Sequence, residues 1–164
     1  MIVRRIRPDD GAVLRTVRLR ALQDAPTAFG STFDQEVGLT DADWTDRASR
    51  GADGPDRATF LADAGAEIVG IAGGYRDGPG SAVVQLVSMW VSPEARRRGT
   101  AAALVRTVVD WAGATAASRV DLWVTRGNEP AVELYTQLGF QETTDVKPLP
   151  SDPCKEELRM TLRL

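Results

Sequence analysis

The segment Ala82–Val91 is apolar on both of its alternating faces, with Val83, Val87, Met89 and Val91 on one and Val84, Leu86 and Trp90 on the other. A strand of that kind has to be covered on both sides, which places it inside a sheet. It is followed almost at once by Ala101, Leu104, Val105, Val108, Val109 and Ala112 at helical spacing, predicting a helix over 99–113. A buried strand running straight into an amphipathic helix points to an α/β fold in which helices cover a central sheet.

The flanking segments extend this frame. Arg57–Asp63 and Glu67–Arg76 read as strands before Ala82–Val91, separated by Ala64-Gly65 and by the turn 77–80, so the three form an antiparallel meander. Ahead of them, residues 2–7 alternate like a short strand stopped by Pro8. Asp9 or Asp10 can cap a helix to about Asp24, and Thr40 with Asp43 forms a capping box for a short helix that carries Trp44 and ends before Gly51. Downstream come a strand at Val120–Thr125, a short helix capped by Asn128 with Pro130 in its first turn, a Pro-rich connection at 148–153, and a last strand at about Glu156–Arg163. The 164 residues, 43% hydrophobic and 26% charged, suit one domain over 1–164.

Composition then removes whole classes of chemistry. A formal charge of -3 provides no global basic field, so neither nucleic acid nor a membrane surface is expected as a partner. The absence of histidine excludes Ser-His and Cys-His catalysis and His-ligated zinc, and the single Cys154 excludes an internal disulfide and a thiolate cluster, so no metal is expected. Charges at Arg4, Arg5 and Arg7 interrupt any signal-peptide core, and no apolar run approaches a membrane span, which predicts a cytoplasmic protein.

The run Ser92-Pro-Glu-Ala-Arg-Arg-Arg-Gly-Thr-Ala101 sits between the buried strand and the helix. A helix N-terminus leaves amide N–H groups unpaired, and a glycine there lets backbone approach an oxyanion closely. Walker A and Rossmann glycine patterns are both missing, so the nucleoside triphosphate and dinucleotide readings fail.

The pattern Arg96-x-x-Gly99-x-Ala101, together with Asn128-x-x-Ala131-x-x-Leu134-Tyr135-x-x-x-Gly139-Phe140 downstream, resembles the GCN5-related N-acetyltransferase (GNAT) family over about residues 57–141. The resemblance implies a mixed central sheet with an antiparallel N-terminal meander and a central strand splayed from its neighbour to admit coenzyme A. It implies acetyl-CoA as cosubstrate, with Arg97, Arg98, Gly99, Thr100, Ala101 and Ala102 on its pyrophosphate, and Met89, Trp90, Val91 and Asn128 on the pantetheine arm. Tyr135 would be the general acid to the leaving thiolate. Ala101 departs from the second glycine of many relatives. Phe29, Phe33, Trp44 and Tyr75 would build the acceptor pocket. The strand carboxylate that serves many relatives as base is missing, with Trp123 near its place, which leaves Asp34, Glu36, or water relayed through Ser88 or Gln85. The implied activity is transfer of acetyl to a primary amine of a small molecule, by a monomer or a homodimer. The alternatives are acetylation of protein lysines or N-termini, and a silent acyl-CoA-binding module.

Overall fold

In the computed structural model, which describes residues 1–78 and 80–164, seven strands form one sheet flanked by helices on both faces. The strands are β1 (Ile2–Arg5), β2 (Arg57–Asp63), β3 (Ile68–Arg76), β4 (Val83–Val91), β5 (Arg119–Thr125), β6 (Gln141–Leu149) and β7 (Asp152–Arg163). The helices are α1 (Gly11–Asp24), α2 (Phe33–Val37), α3 (Asp41–Asp53), α4 (Thr100–Ala114) and α5 (Glu129–Gln137). Sheet order is β1-β2-β3-β4-β5-β7-β6, antiparallel throughout except for β4 against β5, which is parallel. The expected mixed sheet and N-terminal meander are both present. Pro79, in the predicted turn 77–80, lies outside the described residues. Among those residues no helix is long and apolar enough to cross a membrane.

Two hydrophobic layers hold the sheet. One face of β2–β5 meets α4 through Phe60, Val84, Leu86, Leu104, Val108 and Leu122, while Leu61, Ile71 and Trp90 on the other face meet Leu14, Val17 and Leu22 of α1 and Trp44 and Ala48 of α3. Alternation along β3 explains the close fit of α4. Gly70 and Gly74 make a flat floor, and a Cβ on Gly74 would lie 2.9 Å from the Trp111 ring and 3.0 Å from Val108.

Several sequence expectations need correction. The third helix does not stop before Gly51 but runs to Asp53, because a glycine there lets it lie against β2, where a Cβ would come within 2.6 Å of Thr59 Oγ1. Asp10 stands at the start of α1 without capping it, since its carboxylate accepts the Arg7 N–H at 2.8 Å and an Arg4 guanidinium N–H at 2.6 Å. Strand β6 and helix α2 were not expected, and β7 begins at Asp152 rather than near Glu156. The supposed Pro-rich connection is the β6–β7 hairpin, with Leu149 opposite Asp152. Pro148 is tolerated because β6 is the edge of the sheet, where a missing N–H breaks no ladder. Helix α2 has its own capping box between Thr32 and Gln35.

The close packing of α4 on β3 predicts opposite outcomes for two glycines. Gly74→Val should lower the stability in urea by about 1–3 kcal/mol through overpacking. Gly113→Ala, in open space near the end of α4, should be neutral or stabilising by up to about 1 kcal/mol.

Candidate functional site

Strand β4 pairs with β5 only over Val83–Leu86 and then diverges from it, while its ladder with β3 continues to Val91. A bulge marks the parting: Gly73 is opposite Val87 and Ile71 opposite Trp90, so Ser88 and Met89 together face Ala72. Ser88 takes a left-handed backbone (φ 56°), which a non-glycine residue adopts only where the surroundings enforce it. From Val87 onward the edge of β4 turned toward β5 has no strand partner. Met89, Trp90 and Val91 all lie on this open length, although the Val91 carbonyl is occupied by Arg96 Nε at 2.9 Å.

The loop after β4 is built to expose amides. Ala95 is buried, and Arg96 turns back so that its guanidinium pairs with Asp24, whose carboxylate also accepts the Trp90 indole N–H at 2.8 Å. The first arginine of the run is therefore an anchor, as is the Trp90 side chain. Arg97 (φ 57°) and Gly99 (φ 79°) then adopt left-handed backbone, and α4 opens at Thr100 without a side-chain cap. Among the described residues, the six consecutive N–H groups of Arg97–Ala102 donate to no protein acceptor, the first capping bond being Ala103 N–H to the Gly99 carbonyl at 3.0 Å. Successive unpaired amides at a left-handed turn and a helix N-terminus form a concave anion site. Arg97 and Arg98 are exposed there and make no ion pair among the described residues.

On the far side of the parting, Tyr135 of α5 is buried, its ring edge-on to Phe140 with centroids 5.7 Å apart. Burial pushes its phenol well above the usual tyrosine range, and its hydroxyl donates to no protein group among the described residues. It stays protonated across the physiological range, as a proton donor must. Asn128 precedes α5, but its side chain makes no cap bond and stays available; the sequence reading of it as a cap holds for position only.

The opposite face of the sheet carries the predicted acceptor residues in different settings. Trp44 is buried and lines a cleft of about 370 Å³ together with Arg18, Arg47, Arg50, Arg57 and Ser88. Phe29 is buried beneath Arg18, whose guanidinium lies 4.5 Å from its ring centroid, and Phe33 is partly buried at the start of α2. Tyr75 does not line the cleft but stacks with Arg57, 5.4 Å from its ring centroid. Of the candidate bases, Asp34 is exposed. Gln85 donates to Asp77 at 3.1 Å, and Ser88 Oγ meets Arg18 at 3.3 Å.

Two buried glutamates behave oppositely. Glu36 is held by Arg18 at 2.9 Å, by Arg47 at 3.3 Å and by the Ser31 hydroxyl. Burial works to raise its pKa, but the Arg18 hydrogen bond and charge, helped by Ser31 and Arg47, prevail and hold it below the usual carboxylate range. A carboxylate so held makes a weak base; its place is to organise α1, α2 and α3. Glu157 of β7 was missed by sequence reasoning. Burial raises its pKa, and Lys147 at 3.7 Å only partly offsets this. Its signal in the sequence is faint, because β7 carries charges at Lys155, Glu156, Glu157 and Arg159 and only pairing with both β5 and β6 covers one of them. Asp121, also buried, is bound by Arg119, Arg159 and Thr161.

The comparisons with known proteins agree with this geometry. The model of the acetyltransferase (GNAT) family matches residues 16–140. Over 65 residues, 40% of the chain, it is 35% identical to an uncharacterized N-acetyltransferase of Methanocaldococcus jannaschii, and the chain spans 38% or less of the length of the curated relatives it matches. A GCN5-related N-acetyltransferase from Kribbella flavida superposes with a TM-score of 0.77 at 26% identity over 99% of this chain and 97% of that one. The Salmonella typhimurium protein yncA, solved with its cofactor acetyl-CoA, superposes with a TM-score of 0.77 at 15% identity over 100% and 94%.

The two glutamates predict contrasting pH effects on stability. Glu36 has a depressed folded pKa, so its contribution is present above the unfolded value of about 4.3 and is lost as pH falls through the folded pKa. Glu36→Gln should cost about 3 kcal/mol at pH 7, leaving Arg18 unmet, and much less in acid. Glu157 has a raised folded pKa, so its ionisation opposes folding as pH rises through the window above about 4.3. Glu157→Gln should therefore raise the Tm at pH 7 and leave it unchanged near pH 3. Thermal melts across pH check both signs.

Proposed function

The chain belongs to the acetyltransferase (GNAT) family, and we propose that residues 1–164 work as one unit that transfers acetyl from acetyl-CoA to a primary amine of a small molecule. The observation that carries this reading is the set of unpartnered amides of Arg97–Ala102 beside the open edge of β4. Those amides, with Arg97 and Arg98, suit the pyrophosphate, and the backbone from Val87 onward with the Asn128 side chain suits the pantetheine arm. Acetyl-CoA, when bound, supplies a thioester carbonyl that an amine can attack.

The remaining steps fall to the chain and the acceptor. Holding a neutral amine against the carbonyl replaces an enzyme nucleophile, and effective concentration does much of the work. The amine nitrogen forms a bond to the carbonyl carbon, the carbon–sulfur bond breaks, and the departing sulfur takes the Tyr135 proton. The surplus amine proton passes to water, ordered at Ser88 or Gln85, and water returns a proton to Tyr135 to restore the acid; Glu36, engaged by two arginines, is unsuited to receive it. Trp123, in place of a strand carboxylate, argues against a peptide N-terminus as acceptor.

Tyr135→Phe should reduce release of free coenzyme A, followed with a thiol reagent, by about 10²–10⁴-fold with acetyl-CoA affinity unchanged. Arg98→Ala should do the reverse, weakening acetyl-CoA in calorimetry by about 1.5–3 kcal/mol with chemistry intact. Acetyl-CoA binding without turnover on any amine or peptide would leave the silent binding module, and turnover on peptides alone would move the activity to proteins.

A further inference from the structure

The cleft on the α1 and α3 face has a charge character that the chain as a whole does not. The protein carries a net charge of -3, yet four guanidiniums, from Arg18 of α1, Arg47 and Arg50 of α3 and Arg57 of β2, line this one cleft. Two carboxylates oppose them: Glu36 meets Arg18 and Arg47, and Asp46 meets Arg50 from an exposed position one helical turn away. Arg57 meets no carboxylate among the described residues; it stacks on Tyr75 and keeps its donors free. Trp44 is 1% exposed, and its indole N–H has no acceptor among the described residues.

The cleft also reaches the right place. Ser88, at the bulge where β4 leaves β5, forms part of its wall and touches Arg18. A molecule in the cleft can therefore present one end to the parted strands at Ser88 while its other end meets Arg50 and Arg57. A volume of about 370 Å³ is at the small-molecule end of ligand sites.

We infer that the acceptor is a small amine carrying an acid group, a carboxylate or a phosphate, bound by Arg57 and Arg50 while its amine is directed toward Ser88. This rests on the acetyltransferase reading for the role of the amine, but the anion site stands on the cleft itself. Planar guanidiniums suit either acid through paired hydrogen bonds. Polyamines are disfavoured, because a second ammonium would enter a cationic wall.

The test separates binding from turnover. The full chain, its cradle filled with coenzyme A, is titrated with glutarate, inorganic phosphate and cadaverine by calorimetry, alongside Arg57→Gln and Arg50→Gln, both at exposed positions, with a thermal melt of each variant to show that it is folded. Glutarate or phosphate should bind and cadaverine should not, and Arg57→Gln should weaken the anion by about 10–100-fold. Tighter glutarate identifies a carboxylate acceptor and tighter phosphate a phosphorylated one. Cadaverine binding as well as glutarate, or anion binding indifferent to both substitutions, overturns the inference. Turnover is then read on isosteric pairs, 4-aminobutyrate against 4-aminobutanamide and phosphoethanolamine against ethanolamine, with spermidine and a short acidic peptide. A preference for the acidic member that disappears in Arg57→Gln supports the inference, and a preference for spermidine, the neutral member or the peptide overturns it. Anion binding that depends on Arg57 without acetylation of any amine removes the acetyltransferase reading and leaves the anion site in place.

Discussion

Strand β4 keeps its ladder with β3 to Val91 but leaves β5 after Leu86, so a strand in the middle of a sheet has one edge without a strand partner among the described residues. Backbone N–H and C=O groups are obligatory hydrogen bonders, and a sheet interior is a costly place to leave them unmet. The parting is enforced rather than incidental. The bulge puts Ser88 into left-handed backbone, Arg18 holds its hydroxyl, and the Asp24 carboxylate ties both the Trp90 indole and Arg96 beyond the end of the strand. The open edge leads directly to the unpartnered amides at the start of α4. Two sets of unmet donors and acceptors thus form one continuous polar track through the fold, on the scale of an extended ligand.

On one side of that track the α4 layer is almost wholly apolar. The other side is apolar where α1 and α3 pack on the sheet and carries charge around Glu36 and the cleft beside it. Glu36 has a central part in this, since one carboxylate gathers Arg18, Arg47 and Ser31 from three segments. Without it, Arg18 would stand over Phe29 and Ser88 with no counter-charge. Even with it, four guanidiniums against the carboxylates of Glu36 and Asp46 leave the cleft cationic in an acidic protein.

Much of this organisation was legible along the chain. Ala82–Val91 had to be an interior strand because both its faces are apolar, and the helix over 99–113, found at Thr100–Ala114, followed from spacing alone; both are local properties that packing could only reinforce. The arginine-glycine loop and the Asn128 to Phe140 pattern are short-range as well: they carried the family resemblance, and the left-handed backbone at Gly99 and the helix start that follows it lie within a few adjacent residues. Less was legible where neighbours decide. Strand β6 shows no alternation because it is an edge exposed on most of its length, and Pro148 reads as a break until the position of the strand is known.

Sequence by itself determined the class of fold, the absence of histidine chemistry and the arginine-glycine turn at the start of α4, because each depends on residue type and short-range spacing. Tertiary structure decided which of the three consecutive arginines is an anchor and which are free, since Arg96 finds Asp24 72 positions away while Arg97 and Arg98 find no partner among the described residues. It also decided that Glu36 is bound and ionised whereas Glu157 is pushed toward its neutral form, and that four arginines spread over forty residues of sequence meet in one cleft. Burial and charge pairing are sums over neighbours brought together by the fold, and no local pattern in the chain records who those neighbours will be.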